Sequence, residues 1–184
     1  MKYLIASDIH GSAKFCRLLF ERIADEKPDA LVLLGDELYH GPRNDLPEEY
    51  APKEVISMLN SCSVPVTAVR GNCDAEVDQM VLGFPIMADY ALIQLDGLKL
   101  FATHGHVFSE SNPPANSGCD VLLCGHTHIP ACRDHDSFVY INPGSVSIPK
   151  ENSPHSYMTL QNGVFSWKDV CTGAEYRTYT FREK

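Results

Sequence analysis

Five short apolar runs in this chain each end on an Asp, Asn or His with a glycine beside it. Tyr3–Ser7 leads into Asp8-x-His10, Ala30–Leu34 into Asp36, and Val64–Val69 into Asn72. Leu98–Thr103 leads into His104, and Val121–Cys124 into His126-x-His128. Near-continuous apolar runs of this length predict strands buried on both faces. In open α/β sheets the crevice beyond the strand ends is where ligands bind. If the five ends share one edge, seven oxygen and nitrogen donors converge on one pocket. The neighbouring Gly11, Gly35, Gly71, Gly105 and Gly125 allow tight turns and close backbone approach there. A single His at a strand end is more often a hydrogen-bonded structural residue; the repetition at five ends is what argues for a site.

The segments between these runs complete an α/β pattern. Ser12–Lys27 carries Phe15, Leu18, Leu19, Phe20 and Ile23 at helical spacing, and Pro52–Leu59 predicts a second helix. Alternating strands and helices imply βαβ units in the first half. In the second half Tyr90–Leu95 and Leu98–Thr103 flank Asp96–Gly97, a two-residue hairpin signal. Phe138–Ile141, Tyr157–Leu160, Val164–Val170 and Tyr176–Phe181 read as further strands, with Asn162–Gly163 as another hairpin turn. With no repeat or linker in 184 residues, the expectation is one domain over 1–184. Its two sheets are expected to pack face to face.

Charge narrows the function. Asp and Glu outnumber Lys and Arg 24 to 15, a net charge of −9. That field repels phosphate backbones, so no nucleic-acid-binding surface is expected, and a phosphate substrate would need bound cations. No apolar run approaches the ~18–20 residues of a membrane span, and MKYLIASDIHG is too short for a signal peptide. Both point to the cytoplasm. The seven cysteines (Cys16, Cys62, Cys73, Cys119, Cys124, Cys132 and Cys171) form no C-x-x-C pair and read as reduced thiols. The many short strands leave edges that a homo-oligomer could cover.

Seven donors are too many for one tetrahedral structural zinc, and suit two metals sharing a carboxylate. Carboxylate, amide and imidazole without an obligatory thiolate fit Mn²⁺ first, with Fe, Zn, Ni or Co as alternatives. Two such ions clamp the attacking and leaving oxygens of an in-line displacement at phosphorus.

The ordered set DIHG, GDE, GNCD, THGH and GHTH, from Asp8 to His128, resembles the calcineurin-like metallophosphoesterase superfamily. HGPRNDLPEEYAP (His40–Pro52), RGNCDAEVDQM (Arg70–Met80) and INPGSVSIPK (Ile141–Lys150) resemble its small bacterial YfcE-type phosphodiesterases. The resemblance implies a four-layer αββα sandwich of two mixed β-sheets, with the metal site at the strand ends. It also implies that Asp8, His10 and His128 hold one metal and Asn72, His104 and His126 the other, with Asp36 bridging. A metal-bridging hydroxide would attack a small phosphodiester, and Asn72 would help stabilise the charge that builds on phosphorus oxygens. A phosphomonoesterase, or a non-catalytic scaffold of the same fold such as the retromer contains, are the alternatives.

One position departs from the family pattern. Many superfamily members carry a His after the Asn of the third motif, placed to protonate the leaving oxygen; this chain has Cys73. A thiol is a poorer acid near neutral pH, and general-acid help is worth roughly 10²–10⁴-fold. A bias toward esters with good leaving groups is therefore expected. His106 and His40 are candidate substitutes, and His40 and Arg43 candidate substrate contacts. Arg43 could grip a non-scissile phosphate oxygen, or be a surface residue paired with Asp45, Glu48 or Glu49. Asn142-Pro-Gly-Ser145 is expected to be a turn closing the pocket wall.

Overall fold

Alternate residues of the first strand serve two different cores. In the computed structural model, which describes residues 1–95 and 97–181, β1 (Lys2–Ala6) turns Leu4 and Ala6 to one side and Ile5 to the other. Its neighbours repeat the division: in β2 (Ala30–Leu33), Leu31 and Leu33 face one core and Val32 the other. The first core is closed by α1 (Ala13–Glu26) and α2 (Pro52–Asn60), which bury Phe15, Cys16, Leu19, Ile23, Val55 and Leu59. The second core lies between two sheets. A strand apolar on both faces is what such a sandwich requires.

The first sheet runs β11-β10-β9-β1-β2-β3, with β3 at Val66–Ala68, β9 at Ser156–Gln161, β10 at Val164–Asp169 and β11 at Glu175–Thr180. Strands β1, β2 and β3 are parallel and the other pairings antiparallel. The second sheet runs β4-β5-β6-β8-β7, from Tyr90–Leu95, Leu98–Thr103, Val121–Leu123, Val139–Asn142 and Ala131–Asp134 respectively. Strands β5, β6 and β8 are parallel. The expected architecture of two mixed sheets with flanking helices is the one observed. The outer face of the second sheet packs Phe101, Leu122 and Tyr140 against Phe108, from the irregular segment after β5.

Local chemistry explains most boundaries. The Ser12 hydroxyl accepts the Phe15 N–H and starts α1, and Lys27, at φ 48°, ends it; such a cap stabilises by about 1 kcal/mol. Pro52 begins α2, where a missing N–H is harmless. β3 is shorter than Val64–Val69, beginning after Pro65, which has no N–H to give a ladder. Strands β4 and β5 pair with Leu95 opposite Leu98; Asp96 of the expected Asp96–Gly97 turn lies outside the described residues. Two elements were not expected. β7 is an edge strand of Ala-Cys-Arg-Asp with no apolar alternation, and α3 (Glu76–Gln79) is a single turn. No helix among the described residues is long and apolar enough to cross a membrane, and none of the seven cysteines is in a disulfide.

A single buried carboxylate ties the ends of β2 and β3 together. Asp74 accepts the backbone N–H groups of Asp36 (2.9 Å), Glu37 (3.0 Å) and Gly71 (2.7 Å). Burial pushes its carboxyl above the ordinary range, against the pull of those donors. Removing it would orphan three buried donors at once, each costing roughly 1–3 kcal/mol. Asp74→Ala should therefore lower unfolding stability by about 3 kcal/mol or more in chelator-treated protein. Urea denaturation checks this, and a loss under about 1 kcal/mol would mean that water replaces the clip.

Candidate metal centre

Past the last ladder residues of β1, β2 and β6 the backbone turns left-handed. Asp8 (φ 59°), His10 (50°), Asp36 (59°), His126 (67°) and His128 (62°) all lie in this region, which L-residues avoid. Hydrogen bonds between loops hold them there. The Asp8 N–H donates to the Gly35 carbonyl (3.1 Å), His10 N–H to Asp36 (2.9 Å), and Gly125 N–H to His104 (2.8 Å). Gly125 lets the two sheets meet at this edge: a Cβ there would stand 1.9 Å from Ser7 Oγ.

The two oxygens of Asp8 are used differently. Oδ2 accepts the Ser7 hydroxyl (2.6 Å) and the His126 N–H (3.1 Å). Oδ1 is buried without a hydrogen-bond partner and lies 3.2 Å from His128 Nε2 and 3.5 Å from His10 Nε2. Burial alone would raise this carboxyl's pKa, but the His10, His128 and His104 imidazoles hold it well below the usual carboxylate range. The Ser145 and Ser147 hydroxyls both donate to the Asp8 carbonyl, at 2.9 and 3.1 Å. The Asn142-Pro-Gly-Ser145 turn thus anchors Asp8 from behind.

Three imidazoles are fixed through Nδ1. His10 contacts the Tyr39 carbonyl (2.7 Å), His104 that of Leu34 (2.6 Å), and His128 that of Ile148 (2.7 Å). A carbonyl only accepts, so each Nδ1 carries the proton and each Nε2 turns a lone pair inward. His10 Nε2 and His128 Nε2 then sit 3.3 Å apart beside the partnerless Asp8 oxygen. Three ligand atoms so close together are placed to share a cation. Asp8, His10 and His128 can hold one ion.

Asp36 lies between this group and a second. Its Oδ1 accepts the Cys73 N–H (2.8 Å), while Oδ2 is 3.6 Å from His10 Nε2 and 3.4 Å from His104 Nε2. His104 Nε2 is in turn 3.1 Å from Asn72 Oδ1 and 3.2 Å from His126 Nδ1. Burial disfavours the His104 cation, but Asp36 and Asp8 outweigh it and raise the pKa to about 9 without metal. All seven donors expected from the sequence therefore converge on one edge.

The other expected residues divide. A cleft of about 420 Å³ opens over the centre, and Arg43, Asn44, Asn72, Cys73, Thr127 and Lys150 are among its lining. Without metal, burial and the Asp36 carboxylate push the Cys73 thiol up to about 12. His106 packs edge-on to His104, with ring centroids 5.4 Å apart, and is not among the residues lining the cleft. Burial and the His104 charge lower its pKa. His40 also stands outside that lining, wedged edge-on between Tyr39 and Tyr50. Sequence reasoning missed Asp74, Lys150 and the fully buried Glu37, whose carboxyl burial and nearby Asp74 raise well above its ordinary value. Each stood within or beside a quoted motif, but nothing in its spacing set it apart.

Comparison with known proteins shows the family and the fold. Phosphodiesterase YfcE of Escherichia coli K12 is 51% identical over 166 residues, covering 90% of both chains. A phosphodiesterase of Methanocaldococcus jannaschii is 28% identical over 151 residues, 78% of this chain and 83% of its own. The solved structure of E. coli YfcE superposes with a TM-score of 0.94 at 46% identity, covering 99% of this chain and all of that one. Vacuolar protein sorting 29 of Cryptosporidium parvum, at TM-score 0.64 and 20% identity over 98% of both chains, shares the fold alone. Residues 1–162 match the calcineurin-like phosphoesterase superfamily domain, and the chain belongs to that superfamily.

Proposed function

We propose that this chain is a metal-dependent phosphodiesterase that hydrolyses small phosphodiesters with two divalent ions, Mn²⁺ first among them, and a hydroxide bridging the two. Asp8, His10 and His128 would hold one ion, and Asn72, His104 and His126 the other. The single observation that carries this reading is Asp36 Oδ2, set between His10 of the first group and His104 of the second. The ions would supply the nucleophile at neutral pH and withdraw charge from phosphorus. The chain's own residues do the rest. Carbonyl contacts on three rings keep lone pairs aimed at the centre, and Cys73 N–H fixes one Asp36 oxygen so that the other is free to bridge. Asn72, exposed at the cleft wall, can donate to a phosphoryl oxygen. Seven free thiols, Cys171 exposed among them, fit a reducing compartment such as the cytoplasm.

The scaffold reading is disfavoured by the donors themselves: all seven are present and turned inward. The phosphomonoesterase reading is disfavoured by Cys73, whose thiol is too weak an acid to protonate a poor leaving group.

The decisive experiment compares a mono- and a diester of one phenol with Mn²⁺-loaded protein. Faster diester hydrolysis is expected, and Asp36→Asn should abolish it. Hydrolysis of neither ester would leave the scaffold reading standing, while full activity in Asp36→Asn would remove the bridge. Cys73→His should restore a leaving-group acid, raising kcat on an alkyl diester by about tenfold or more and flattening the dependence of rate on leaving-group pKa. An unchanged dependence would show that protonation does not limit the step.

Proton linkage supplies a further check. His104 is raised from 6.5 to about 9 and His10 is also raised. The folded state therefore binds these protons more tightly than the unfolded chain. Their stabilisation is complete below about pH 6.5 and is lost as pH rises through about 9. Calorimetry of chelator-treated protein should show Tm falling across that window. Mn²⁺ should reverse the fall, because cations then take the place of the protons. A Tm independent of pH without metal would contradict the placement of His104 against Asp36.

A further inference from the structure

Two cations stand in the cleft wall without a carboxylate of their own. In a chain of net charge −9, most basic residues near acids are paired. Lys14 takes Glu48 at 2.5 Å, and Arg17 takes Glu49 and Glu54. Glu48 and Glu49 are two of the three carboxylates that follow Arg43 in its own loop, yet both turn to α1 instead. Among the described residues neither Arg43 nor Lys150 forms an ion pair, and both line the 420 Å³ cleft.

Their backbones are anchored to the centre from opposite sides. The loop of Arg43 is packed on Cys73: Gly41, at φ +80°, lies so close that a Cβ would stand 2.9 Å from Cys73 Sγ. The Asn44 side chain closes that loop by donating to the His40 carbonyl (2.8 Å), and the Tyr39 carbonyl contacts His10. On the other wall the Lys150 N–H donates to the carbonyl of His128 (3.2 Å), while the Ser153 hydroxyl caps the Lys150 carbonyl (2.7 Å). Both side chains are exposed, so each has a fixed root and a solvated, unpaired charge at the rim.

A scissile diester carries one negative charge, which the centre answers at the floor of the cleft. Rim cations that serve no internal carboxylate are free to answer a different charge. We infer that Arg43 and Lys150 are specificity-determining residues that bind a second anionic group, carboxylate or phosphate, on the substrate arm that does not leave. This rests on the phosphodiesterase reading and narrows it to diesters carrying an additional anion. The cleft lies within the roughly 300–1,000 Å³ of small-molecule sites, and Arg43 suits a planar or tetrahedral oxyanion by its paired N–H groups.

The test uses the Mn²⁺-loaded protein and three para-nitrophenyl diesters that share a leaving group. Their second arms are butyl, carboxypropyl and phosphonopropyl. Wild type should favour the better anionic arm over butyl by about tenfold in kcat/KM, the yield of two solvated charge-assisted contacts. Whichever anionic arm is preferred identifies the source of the charge. In Arg43→Ala/Lys150→Ala the ratio should fall to about one; Lys150→Arg should retain it, and added salt should erode it. The same ratio is read as Kd by calorimetry with non-hydrolysable phosphonate analogues, so it is measured even if no diester turns over. A wild-type ratio near one, or a ratio unchanged in the double variant, overturns the inference. Absence of hydrolysis with all three diesters overturns the phosphodiesterase reading instead.

Discussion

The strained backbone at the strand ends is the constraint on which this structure turns. Five of the seven inward-facing donors occupy left-handed φ, at roughly 1–2 kcal/mol each. Such a conformation persists only where its surroundings over-determine it. Here they do. Asp74 clips β2 to β3, Ser145 and Ser147 brace the Asp8 carbonyl, and the loops after β1 and β2 exchange backbone hydrogen bonds. The two apolar cores supply the rigidity behind these clips. Strands β1 and β2, buried on both faces, cannot slide without exposing one core or the other.

Charge at this edge is arranged against the ordinary preference for burial. Asp8, Asp36, Glu37 and Asp74 are all buried beyond the parallel strands, and each is met in a different way. Asp8 and Asp36 face imidazoles and Asp74 faces backbone N–H groups, while Glu37 has no hydrogen-bond partner, and burial with the nearby carboxylates raises its carboxyl well above the ordinary range. Concentrated negative charge beside inward lone pairs suits the pocket to divalent cations, and cations there would let it receive an anionic ester despite the net charge of the whole chain.

The site was largely legible in the sequence because its donors follow directly from strand ends, and strand ends show as the close of an apolar run. The fold was legible for the same reason wherever burial imposes a pattern. What escaped obeys no such period. β7, an edge strand of Ala-Cys-Arg-Asp, buries little and so shows no alternation. Asp74 serves backbone groups up to 38 positions away, a role that leaves no mark on residue spacing. Lys150 reaches the cleft through the turn after β8, far from the motifs it meets. His40 looked chemical because of its side chain, whereas its ring packs between two tyrosines.

The carbonyls that orient the imidazoles have a role beyond setting the tautomer. Tyr39 belongs to the loop that carries Arg43, and Ile148 to the turn that carries Lys150. Each of these cleft-wall segments is therefore hydrogen-bonded to the far nitrogen of a candidate ligand ring. Through these bonds, an ion at the centre would be coupled to order in the cleft walls. Whatever factor an ion contributes to the fixing of those walls, an occupant of the cleft must return as tighter retention of the ion.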